Sequence, residues 1–251
     1  MLKKSILLLS VLYFTSCAEL QTMVNEYATE QNAPLTSFDV SQGLKEALQL
    51  GSKHASQVLS IKDGFYKDEL VKILLPPEAQ TISQNIKKIP GGEDMIDKVV
   101  LRLNRAAEDA VVEAAPIFAS AITEMTIQDA FGILKGDKNA ATQYLKAKSY
   151  SKLKDLFMPK IKASLDKKLI ANLSTNESWN LLTKSYNQVA SSFIGQLADL
   201  ETVNSGLDEY VTDKALDALF IKVAEEELKI RNDPAERVSS ILKRVFSQQD
   251  D

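Results

Sequence analysis

The stretch EDMIDKVVLRLNRAAEDAVVEAAPI, Glu93 to Ile117, decides the fold class. Ile96, Val99, Leu103, Ala107, Ala110, Ala114 and Ile117 recur at spacings of three and four. That period places them on one apolar face of a helix. Several members are alanine, so a neighbouring helix can approach closely. Pro116 is expected to kink or end this helix. Upstream, Pro90-Gly91-Gly92 is a strong break, and Glu93 opens the helix after it.

Working outward, other segments carry helix punctuation. Asp39 with Gln42 predicts a capping-box start for a helix reaching about Leu59. Lys62-Asp63-Gly64 is a turn. Phe65 to Leu75 is ambiguous, and Pro76-Pro77 closes it by forcing Leu75 out of helical geometry. A helix is expected from about Glu78 to Lys88. Thr126 with Asp129 caps a short helix that Lys135-Gly136 terminates. Asp137 is expected to cap a helix to about Lys148, and Pro159 to open another, to about Ala171. Ser174 or Thr175 caps a helix carrying Trp179. Gly206 and Asp208 precede a long helix to about Arg231. Asp233-Pro234-Ala235-Glu236 starts a last one, ending near Phe246. There is no sustained period-two alternation and no hairpin signal between β-branched runs. The expected fold is all-α: one bundle-like domain of about nine helices over residues 39–251.

The N-terminus reads as an address. Lys3-Lys4, an apolar run from Ser5 to Phe14, and Thr15-Ser16 describe a secretory signal peptide over residues 1–16. The run is too short for a permanent span, which needs about 20 residues. Phe14-Thr15-Ser16-Cys17 resembles the lipobox of bacterial lipoproteins, in which the cysteine is lipidated. Phe14 departs from the usual leucine. The resemblance implies an acylated Cys17, a tether over residues 17–38, and a membrane partner reached through that lipid. Ala18 is not the aspartate that retains enteric lipoproteins in the inner membrane, and residues 18–21 carry one acid only. The expected location is the outer membrane, facing the periplasm.

Composition bounds the rest. The chain has 251 residues, 45% hydrophobic and 25% charged, with a formal charge of −4. Removing residues 1–16 takes away Lys3 and Lys4 and leaves 28 basic against 34 acidic residues, a formal −6. An acidic body argues against nucleic acid as a partner. One Cys and one His exclude a disulfide framework, a thiolate zinc site and any multi-histidine metal site. No cofactor signature is present: Gly91-Gly92 lacks the Lys-Ser/Thr of a phosphate loop. Asp137-Lys138-Asn139 fails as a calcium loop because Lys148 stands where a glutamate is required. His54 has no nucleophile elbow to serve.

Several stretches resemble a bacterial domain-of-unknown-function family, number 4197. They are Gly43 to Leu48, Asn104 to Glu108, Ile133 to Gly136 with Ala140-Ala141-Thr142, and Tyr210 to Leu216. Ala224 to Glu227, Ile230 to Pro234 and Arg237 complete the set. The resemblance implies an exported helical protein and supplies no activity.

Polar residues on apolar faces are the candidate site. On a wheel from Leu216, the residues Leu219, Phe220, Val223, Ala224 and Ile230 share one arc, and Glu227, Arg231 and Asp213 fall within it. Asn104, Arg105 and Glu108 lie on the central helix. Buried charges must be paired. One reading is a structural ion pair, Glu227 with Arg231, joined by Asp213 or Arg105. The other is a polar pocket built from all six residues. Trp179, Tyr186 and Phe193, spaced by seven, form a stripe for core packing or a ligand. Lys146 to Lys168 holds eight lysines, a solvated or membrane-touching face. The leading functional expectation is a non-enzymatic binding or scaffold module for an envelope protein or small ligand. A hydrolase using Glu108 and Glu227, and a carrier of apolar ligands, are the alternatives.

Overall fold

The computed structural model describes residues 34–79, 92–170, 173–197, 202 and 206–247. Residues 1–33 lie outside these, so the leader, Cys17 and most of the expected tether do too, as does most of the helix expected over 78–88. Among the described residues the architecture is all-α. Nine helices are present: α1 Ser37–Ser60, α2 Gly92–Val111, α3 Ala114–Thr123, α4 Ile127–Leu134, α5 Ala140–Leu165, α6 Thr175–Ala190, α7 Phe193–Leu197, α8 Leu207–Asn232 and α9 Ser240–Phe246. A two-stranded antiparallel pair, β1 Lys168–Ile170 and β2 Leu173–Ser174, joins α5 to α6.

The long helices α5 and α8 pack on each other, and α2 and α1 complete the core. In α5, Ala141, Leu145, Ser149, Leu153, Phe157, Ile161 and Leu165 are buried at a strict spacing of four. In α2, Leu103, Ala106, Ala107 and Ala110 are fully buried, which is the close helix approach their size permits. Phe220 of α8 meets Phe118 of α3 edge-on at 5.8 Å and stacks on Tyr150 of α5. At Gly43 of α1, an added Cβ would stand 2.8 Å from Val245 Cγ2, so this glycine sets how closely α9 docks. No single helix among the described residues is long and apolar enough to cross a membrane.

Several expected boundaries move. Thr36, not Asp39, is the N-cap of α1; Asp39 is the third residue of its capping box. The central helix breaks at Val112-Glu113, four residues before Pro116, where the proline ring would clash with a helical carbonyl. Pro116 itself sits in the first turn of α3, where it removes no needed donor. Asp137 does not cap α5. It accepts only a turn bond from the Ala140 N–H through its carbonyl, and the N-cap Asn139 makes no side-chain cap. Pro159 opens no helix: it lies inside α5 on the exposed face, where water can solvate the carbonyl it orphans. Asp233 caps only a 3-10 turn, Pro234–Glu236, and α9 starts separately on Ser239. The Thr126/Asp129 capping box is present as expected. Ser174 caps α6 through the Glu177 N–H, with Glu177 returning a bond to the Ser174 N–H.

Candidate functional site

The six candidate residues fall into three separate clusters rather than one pocket. One of these clusters uses buried charge to finish the ends of helices.

Glu227, on the buried face of α8, aims at the first turn of α5. Its carboxylate accepts from the Ala141 N–H at 3.0 Å, the Thr142 N–H at 2.8 Å and the Thr142 hydroxyl at 2.8 Å. The first amides of a helix have no intrahelical partner, and the helix dipole favours an anion there. Glu227 therefore supplies from another helix the cap that Asn139 does not. Arg231, four residues on, donates to Glu227 at 3.0 Å through Nε. The same guanidinium donates to the Ile133 carbonyl at 2.9 Å, at the C-terminal end of α4. Both side chains are more than nine-tenths buried. A cation at a helix C-terminus and an anion at a helix N-terminus thus share one ion pair. Arg237, 1% exposed, repeats the device by donating to the Ile230 and Arg231 carbonyls that close α8.

Glu108 serves the turn after α1. Its carboxylate accepts from the buried Phe65 N–H at 3.3 Å and from Arg105. Arg105 also bonds Asp63, which adopts φ +71°, and Lys67 pairs with Asp63 at 3.0 Å. Bonds from Arg105 and then Lys67 hold the Asp63 carboxyl below its ordinary range. At Gly64 a side chain would run into the Val58 and Leu59 carbonyls. Asn104 completes this wall. It accepts from the Ile73 N–H at 2.9 Å, donates to the Ile73 carbonyl at 2.8 Å, and donates to Val100 at 2.7 Å.

Asp213 stands apart from both. It pairs with Lys154 of α5 at 2.9 Å and accepts from the Tyr150 hydroxyl at 3.3 Å, while Glu209 shares the same lysine at 3.3 Å. The bond to Asp213 is the main reason the Lys154 pKa is raised. The α5 lysines are therefore not one bare basic face. Lys154 and Lys160 take acids from α8 and from Glu113, Lys162 takes Asp166, and Lys146 and Lys148 lie over aromatic rings. Among the ion pairs of the described residues, neither Asp213 nor Arg105 joins Glu227 to Arg231. The aromatic stripe dissolves as well: Trp179 is buried in α6, but Phe193 belongs to α7 and is 80% exposed.

Among the described residues a large concavity lies elsewhere, an open groove of about 950 Å³. Its walls are the segment Leu70 to Pro77, the first two turns of α5, Trp179 of α6, and one side of α8 from Glu209 to Ala224. Neither Glu108 nor Glu227 lines it; of the six candidates only Asp213 does. No cluster of three metal-ligating side chains occurs among the described residues. His54 lies exposed on α1, with Glu226 3.8 Å away.

Residues 34–247 match the family described as protein of unknown function (DUF4197). The chain belongs to this family. No curated protein and no solved structure is significantly similar to it. The DUF4197 match begins just before α1 and ends just after α9, so it covers every helix described here. The helix-end caps and the groove are therefore features within the DUF4197 region.

Sequence reasoning found Glu227, Arg231, Arg105, Glu108 and Asn104 as buried polar groups. It missed Asp63, Thr142 and Arg237. Asp63 was visible only as a turn residue. Thr142 enters through its backbone amide and its hydroxyl, both bonded to a residue 85 positions away that no local pattern points to.

Proposed function

We propose that this protein is an envelope lipoprotein, anchored through Cys17 on the periplasmic side of the outer membrane, whose helical body is a non-enzymatic binding module. The observation that carries the non-enzymatic reading is the use made of the buried acids. Glu227 is spent on two helix amides, a hydroxyl and Arg231; Glu108 is spent on Phe65 and Arg105. Paired-acid hydrolysis needs two carboxylates facing one substrate cleft. These two face different elements and neither opens on the groove. A carrier of apolar molecules needs an apolar enclosure. The groove is open and bears three lysines and three carboxylates. What it offers is a shaped, mixed surface for a partner.

The anchor reading rests on Lys3-Lys4, the run to Phe14, and Cys17 behind two small residues. Each buried methylene contributes about 0.8 kcal/mol, so several acyl chains hold a body of this size stably. The test is metabolic labelling with an acyl precursor. The natural chain should take label and sediment with membranes, and Cys17→Ser should do neither. Unchanged membrane attachment of Cys17→Ser would overturn the anchor. A photocrosslinker at groove residue Ile221 in intact envelopes should give a discrete adduct; none above background would overturn the module reading.

A further inference from the structure

We propose that the groove takes up an extended polypeptide segment, which adds as a strand parallel to residues 72–76. The inference rests on the binding-module reading and names its ligand class.

After a turn in which the Val71 and Lys72 N–H groups donate to the Asp68 carbonyl, the segment Lys72 to Leu75 runs on outside any sheet. Ile73 is 2% exposed and Leu74 58% exposed, so one side of the segment is covered and the other open. Asn104 bonds both the N–H and the carbonyl of Ile73 with a single side-chain amide. Both groups must then point the same way, which an extended residue permits. Asn104 thus stands where a neighbouring strand would. Pro76-Pro77 keeps Leu75 extended and ends the strand.

The opposite edge is left over. In a strand, the groups of the residues on either side of Ile73 point away from Asn104. The Tyr210 hydroxyl confirms the direction: it reaches across from α8 to donate to the Leu74 carbonyl at 3.3 Å. The Leu74 N–H therefore points into the groove, and it has no hydrogen-bond partner among the described residues. The Lys72 carbonyl on the same edge is also without one, although the Lys72 N–H donates to Asp68. An unpaired strand edge is a template for another chain. The pattern of free groups selects the orientation. In parallel pairing, one incoming residue donates to the carbonyl before Ile73 and accepts from the N–H after it. Those are the two groups that remain, since Tyr210 already holds the Leu74 carbonyl.

The walls fix the ligand's character. Lys72, Lys146 and Lys214 are balanced by Glu209, Asp213 and Asp217. A groove whose charges cancel complements a segment of low net charge. Leu70, Leu74 and Ile221 offer exposed apolar contacts along it. The occupant is a short, uncharged, partly apolar peptide stretch read mainly through its main chain.

The test uses the full chain, immobilised, against a displayed library of random ten-residue peptides. Recovered peptides should be low in charge. Adding one should slow hydrogen exchange at the Leu74 amide by about tenfold or more. Leu74→Pro removes the donor together with the leucine side chain and should weaken binding about tenfold or more, the effect of at least one hydrogen bond. Leu74→Ala keeps the donor and should weaken it less. If Leu74→Pro alters the thermal melt, N-methylation of the peptide residue opposite Ile73 removes the companion bond, from its N–H to the Lys72 carbonyl, and tests the strand geometry from the ligand side. Recovery of no peptide, or binding indifferent to both the proline and the N-methyl group, would overturn the proposal. A crosslink at Ile221 persisting under that result would leave the module reading standing and refute only its strand geometry.

Discussion

Replacing Glu227 by glutamine tests whether this carboxylate is a structural cap. Glutamine keeps one acceptor oxygen but turns an amide toward donors, and three donors besides Arg231 converge there. The change leaves a buried guanidinium without its anion. Removing one partner of a buried pair typically costs about 3–5 kcal/mol. Arg231 retains the Ile133 carbonyl, which puts the expected loss near about 3 kcal/mol. For a domain of this size, each kcal/mol moves Tm by about 2–4 °C, so the shift should be roughly 6–12 °C downward. Urea unfolding gives the energy, and hydrogen exchange gives the place. The Ala141 and Thr142 amides should lose protection first, ahead of the centre of α5. A loss below about 1 kcal/mol, with both amides still protected, would refute the reasoning. The charge would then not be holding the start of α5.

Asn104→Leu keeps the branched side-chain shape but orphans the buried N–H and carbonyl of Ile73; it should cost about 2–4 kcal/mol in urea unfolding and loosen residues 70–75 in hydrogen exchange. Pro159→Ala should stabilise the protein by about 2 kcal/mol, because it restores an interior helix bond at the expense of a more flexible unfolded chain; an unchanged or lowered Tm would contradict the placement of Pro159 within a continuous α5. The bonds from Arg105 and Lys67 that depress Asp63 stabilise the fold fully above the ordinary aspartate range, and this contribution disappears as pH falls through the folded-state value. Asp63→Asn should therefore lower the urea midpoint at and above about pH 6, where the contribution is complete, and converge on the natural chain as pH falls well below about pH 4, so that the acid limb flattens.

How much of the site was legible follows from which interactions are local. Glu227 and Arg231 are four apart on one helix, so period alone places them together on a buried arc. Arg105 and Glu108 are three apart and equally readable. Their true partners are 42 to 98 residues away: Asp63 for Arg105, Phe65 for Glu108, the α5 amides for Glu227, the Ile133 carbonyl for Arg231. No periodicity encodes such distances. Backbone groups are the harder case, because every residue carries them and none advertises them. The stretch Lys72 to Leu75 was hidden for another reason. Its most exposed position, Leu74, is as apolar as the buried Ile73 before it, so residue type does not alternate there even though burial does.

Proline and cap positions divide the same way. The Thr126/Asp129 box depends only on neighbours in sequence, and it forms where expected. Asp137 and Pro159 were misplaced because α5 obtains its cap from α8 and because tertiary packing of its buried face carries the helix through a proline. By itself, the sequence determined an all-helical body, the apolar faces of its main helices and the need to pair the charges on them. Those follow from a period of 3.6 residues and from the cost of burying charge. Only the tertiary structure decided which helix end each charge completes, that the acids are held within the core, and that an open groove lies on the other side of α8. These depend on which elements meet, and segments distant in the chain are brought together only by packing.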